Sequence, residues 1–183
     1  MPELQRHRSG RPLPGEYADY AQADLDVVAG DDAVEVLRRQ QVATVALFSA
    51  LDERAIRGLA YAPGKWTVKE VLGHLADDER IFAYRALCLA RGDTRPLPGF
   101  DEKLYLRDAG FEARPLADLI GEYLAVRRAS IALFEGLPAP AWLRRGEVNG
   151  YSASVRGLAF HIAGHELHHH RILAEKYLVL LRR

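Results

Sequence analysis

Apolar residues return along this chain at the three- and four-residue steps of an α-helix in four separate stretches. Val34, Leu37, Val45, Phe48 and Leu51, with Gln41 inside the same stripe, predict an amphipathic helix over 32–56. A second helix is predicted over 67–90, because Thr67 and Glu70 have the spacing of a capping box and Gly92 follows the last periodic residue. A third runs over 115–136, with Pro115 suited to the first helical position and Gly136 at the far end. The fourth, over 153–178, has Ser152 or Ser154 as its cap.

Between the second and third helices, RGDTRPLPGFDEKLYLRDAGFEARP is broken by proline and glycine, so it predicts a long loop with one short helix near 101–108. LPAPAWLRRGEVNGY reads as a second irregular crossing, and no stretch alternates convincingly enough to predict a strand. The implied fold class is all-α, an up-down four-helix bundle with long crossover loops. Residues 1–30 lack a sustained period and are read as an N-terminal strap with a disordered tip, leaving 31–183 as a single bundle domain.

The length of 183 residues suits one core, and 49% hydrophobic against 27% charged residues is the balance of a soluble globular chain. Basic and acidic residues cancel at 25 each, so no overall field draws the chain to nucleic acid or an anionic membrane. No run reaches the ~18 uninterrupted apolar residues of a membrane span, and the first residues hold no apolar signal core. A cytoplasmic location is expected by elimination. The lone Cys88 excludes an internal disulfide and is read as buried filler, with Trp66 and Trp142 as packing anchors at helix entrances.

The chemistry lies in histidine. Five of the seven histidines fall within HIAGHELHHH, residues 161–170 of the fourth helix. His165 and His169 are one turn and about 40° apart, so their rings can converge on one ion. His161 lies about 12 Å from His169 along the axis and is too far to share it. It is expected to support the site without ligating, while His170 points to solvent.

A third ligand must come from another helix, and His74, on a stripe with Val71, Asp78 and Ile81, is the histidine available. His74, His165 and His169 are therefore the candidate ligands of one divalent transition metal, whether zinc, nickel, iron or manganese. The segment His165-Glu166-Leu167-His168-His169 also matches the short zinc-protease motif, but the chain offers neither a downstream ligand nor a strand-bordered groove.

WTVKEVLGHLADDE and SVRGLAFHIAGHELHHHRIL, with Trp66, His74, His165 and His169, resemble the DinB-like superfamily of damage- and stress-associated bacterial four-helix bundles, over about residues 32–178. That family includes bacillithiol- and mycothiol-dependent S-transferases, and the resemblance places its three histidines on His74, His165 and His169. Many relatives carry glutamine shortly after the last of these, where this chain has Arg171 and Ile172.

The resemblance implies a metal-dependent transferase or isomerase using a low-molecular-weight thiol in stress or detoxification. A metal-dependent hydrolase, with Asp78 or Glu166 handling protons, is the alternative. A non-enzymatic metal- or partner-binding bundle is the third reading. A homodimer is expected, paired through the broad apolar face of the first helix.

Overall fold

The computed structural model describes residues 9–181. Its long helices are α2 (Ala33–Ser49), α3 (Val68–Ala90), α5 (Leu116–Glu135) and α6 (Val155–Ile172), with short helices α1 (Gln22–Asp26) and α4 (Glu102–Ala109). They form a four-helix bundle with long crossovers. α3 packs against α5 and α6, and α2 packs against the same two, so successive pairs in the chain are interleaved in space.

Each boundary has a local cause. Thr67 and Glu70 close the expected capping box on α3. Asp101 caps α4, and Ser154 caps α6 by accepting the Gly157 amide. Pro115 falls at the N-cap of α5, one residue earlier than its expected place.

α2 ends seven residues before its predicted limit of 56. The Asp52 side chain takes the Arg54 amide while its carbonyl takes that of Ile56, turning the chain although the apolar period runs on to Leu51. The buried stripe of α2 is also rotated by one residue from the predicted one. It includes Leu37, Gln40, Thr44 and Phe48, because Gln40 and Thr44 have polar partners waiting on α6.

A hairpin was not expected. β1 (Arg145–Val148) and β2 (Tyr151–Ser154) pair antiparallel across Asn149-Gly150, both at positive φ, with Leu97 bridging to Val148. α6, predicted to 178, gives way after Ile172 to a π-helical turn, Leu173–Tyr177.

The strap is packed where it is described. Leu25 and Val28 are buried, and Arg11 ties the carbonyls of Leu25 and Val28 together. It crosses α6 at two glycines that a side chain would block: a Cβ on Gly157 would lie 1.9 Å from the Glu16 carbonyl oxygen, and one on Gly164 2.7 Å from that of Asp24. The predicted disordered tip lies on residues outside those described. Among the described residues no helix is long and apolar enough to cross a membrane.

Candidate metal centre

α3 and α6 run antiparallel and share a seam. Residues four apart lie one above another on a helix, so α3 presents His74, Asp78 and Phe82 in sequence. α6 answers with His169, His165 and His161. His74 Nε2 is 3.1 Å from His165 Nε2, which is 3.1 Å from His169 Nε2. The three predicted ligands therefore converge, and they form a group able to hold a metal ion.

The spacing fits such an ion. Nitrogens about 2.0–2.1 Å from a zinc at tetrahedral angles would be ~3.3 Å apart, and slightly closer at octahedral angles. His74 and His169 are buried, while the His165 side chain keeps 17% of its surface, so solvent reaches the group at His165.

Burial disfavours the imidazolium form throughout. It brings His74 down to about 4 and, with the neighbouring His74, His169 to about 3. His165 is held well below its usual value by burial and by the adjacent imidazoles. At neutral pH all three rings are uncharged and carry the lone pair that metal binding needs.

Asp78 stands behind the middle ring. Its Oδ2 is 3.3 Å from His165 Nδ1, off-line for a hydrogen bond, and has no other polar partner among the described residues. Burial, opposed by Arg85, raises this carboxyl to about 8. A carboxylate on the outer nitrogen of a metal-binding histidine fixes its tautomer and leaves Nε2 to coordinate.

Asp78, not His161, is the residue that faces the outer nitrogen of His165. His161 makes no hydrogen bond among the described residues and lies parallel to Phe82 at 3.9 Å and to His165 at 5.8 Å. Trp66 is more than a packing anchor. Its ring is 4.6 Å from that of His74 and stacks 5.9 Å from His169, and Tyr177 holds the Trp66 carbonyl at 2.6 Å. Trp142 packs on Phe134 as expected, and Cys88 is half-buried.

Glu166 is turned away from the three rings. It accepts from Tyr123 at 3.1 Å, from Thr44 and from Arg127, whose Nε also donates to Glu79 at 2.9 Å and whose Nη1 donates to the Leu37 carbonyl. This buried cluster joins all four long helices and holds the Glu166 carboxylate away from the three rings. His170, expected in solvent, is half-buried with Nε2 2.8 Å from Thr44 Oγ1. His168 pairs outward with Asp24 of the strap at 3.1 Å.

Fold and site together define a helical bundle protein with a buried three-histidine centre able to hold a metal. The DinB superfamily model matches residues 7–173, and the chain belongs to that superfamily. YfiT from Bacillus subtilis, described as a probable metal-dependent hydrolase with an unusual four-helix bundle topology, is a structural neighbour with a TM-score of 0.68. It is 17% identical over 90% of each chain, which establishes a shared fold. No match was found among curated proteins.

Proposed function

We propose that this protein is a metal-dependent enzyme that binds one divalent transition metal on Nε2 of His74, His165 and His169 and transfers a low-molecular-weight thiol to an electrophile. The observation that carries the metal site is the convergence of three neutral ring nitrogens drawn from two helices, with His74 and His169 buried and His165 half-buried. Three protein ligands leave coordination positions for reactants, the arrangement of catalytic rather than structural sites. A bound metal of this kind supplies Lewis acidity, by which a thiol or water loses its proton near neutral pH.

The chain's own groups do the rest. Asp78 orients His165, Trp66 walls the site against His74 and His169, and the partial exposure of His165 marks the side from which a reactant enters. With Glu166 sequestered, no glutamate base faces the rings among the described residues. That favours a nucleophile acidified by the metal itself, and a thiol needs less acidification than water.

The description of YfiT as a probable metal-dependent hydrolase supports a second reading, with water as the nucleophile. Pairing of two copies through α2, where Val42 is 70% exposed, belongs to the same proposal, and sedimentation decides it.

Two measurements test the reading. Tag-free protein should carry about one metal per chain, His74→Ala should carry almost none, and His168→Ala and His170→Ala should keep theirs. An electrophilic acceptor should then be conjugated only with added thiol and only by the metal-loaded protein. Full metal content in His74→Ala overturns the site, and turnover without thiol transfers the conclusion to hydrolysis.

A further inference from the structure

Proteins rarely bury a cation without a carboxylate beside it, because desolvation otherwise goes uncompensated. Lys69, Arg85 and Arg127 are the buried basic side chains among the described residues, at 4%, 3% and 1% exposure. Arg127 has Glu79 and Glu166. Lys69 has Glu53 at 2.7 Å and the Arg114 carbonyl at 2.8 Å.

Arg85 breaks the pattern. Its one hydrogen bond among the described residues runs from Nη2 to the Pro98 carbonyl at 2.7 Å, and no described carboxylate lies within ion-pairing distance. A guanidinium has five N–H donors, so most of them lack an acceptor among the described residues. Its other contacts are ring faces, Phe82 at 4.8 Å and Phe100 at 5.7 Å.

The position of this guanidinium gives it meaning. Arg85 continues the α3 stripe of His74, Asp78 and Phe82, and is about 10 Å along the helix from Asp78. Its charge is felt at Asp78, His161 and Tyr151. Asp78 Oδ2 faces His165 Nδ1 at 3.3 Å without a hydrogen bond, and His161, 8% exposed, also has no hydrogen-bond partner among the described residues. The seam therefore continues past the three-histidine group into a region with spare hydrogen-bonding capacity and an uncompensated positive charge.

We propose that Arg85 is an oxyanion-binding site that takes the carboxylate or phosphate group of a small molecule whose other end reaches the three-histidine group, where His74 lies roughly 16 Å away along α3. The planar fork of donors suits two oxygens of one such group, which a lysine could not match. The anion site stands on its own geometry. Its role as substrate anchor rests on the metal-centre reading.

The test uses full-length metal-free protein, dialysed free of chelator, with thermal unfolding followed at constant ionic strength as phosphate or succinate replaces chloride. Wild type should gain stability with the logarithm of either oxyanion once it is in excess of its dissociation constant. Arg85→Met should show no such dependence and, having lost an uncompensated buried charge, should unfold at a higher temperature than wild type in chloride alone. Arg85→Lys should need at least tenfold more anion for the same gain, and this comparison decides the matter if the Met variant does not fold.

A wild-type response to neither oxyanion overturns the site, as does an undiminished response in Arg85→Met or, where that variant does not fold, in Arg85→Lys. A response to only one of the two oxyanions identifies the group it takes. If the anion response holds while His74→Ala keeps its metal, the anchor role falls and the anion site stands.

Discussion

Replacing Arg127 by methionine should be among the most damaging single changes available outside the three histidines. The guanidinium is 1% exposed and bridges Glu79 and Glu166, whose side chains are each 2% exposed. Removing it leaves two carboxylates facing one another in a region closed to water, and burial already raises the affinity of Glu79 for a proton. Breaking a buried ion pair from one side costs about 3–5 kcal/mol.

For a chain of this size each kcal/mol lowers the thermal midpoint by roughly 2–4 °C, so a fall of roughly 6–20 °C is expected. The assay is thermal unfolding by circular dichroism at pH 7. As a control, Arg127→Met combined with Glu79→Leu and Glu166→Leu should recover most of the loss, since an apolar cluster of similar volume carries no stranded charge. A midpoint within about 2 °C of wild type for Arg127→Met, or a triple variant no better than the single one, would refute the account of this cluster.

Two further predictions follow from the seam. Asp78→Asn should weaken metal binding by ~10- to 100-fold, measured by competition with a chromophoric chelator, whereas His161→Ala should change it far less; equal losses would return the supporting role to His161. Acid should destabilise the metal-free protein: His74 is held at about 4 against 6.5 in the unfolded chain, so unfolding takes up protons as pH falls through that window, a loss of about 3 kcal/mol from this group alone. Asp78, raised to about 8 from 3.8, acts in the opposite sense but is outnumbered by the depressed imidazoles. A midpoint that is flat or rising between pH 6.5 and 4 would contradict this.

The long helices were legible because periodicity and caps agree: Thr67 with Glu70, Ser154 and Gly136 all stand at or beside the ends they mark. The hairpin was not, although Asn149-Gly150 is a strong turn signal, because each arm has only four residues and their alternation is too short to register. The course of the strap was hidden for another reason. Gly157 and Gly164 look like weak points of a helix, and only the neighbouring chain shows that they are contact points.

At the site, histidine spacing located the three rings, since metal geometry constrains spacing directly. Arg127, Tyr123, Thr44 and Glu79 left no such trace. Each is an ordinary residue of an amphipathic helix until its partner on another helix is known.

Glu166 shows how far a local motif can carry a reading. In His165-Glu166-Leu167-His168-His169 the two histidines and the glutamate have the order of a zinc-protease helix, yet about 100° separates each residue from the next, so Glu166 need not share the face of His165. What decides its role is the element packed on the second face. Here α5 brings Tyr123 and Arg127, and α2 brings Thr44, so the carboxylate is saturated with donors inside the bundle. The same anchoring limits rotation of α6 about its axis and holds His165 and His169 toward His74 and Asp78 on α3. In this chain the glutamate fixes the helix that carries two of the three converging histidines, and an assignment of Glu166 as base would require it to leave three donors in a region from which water is excluded.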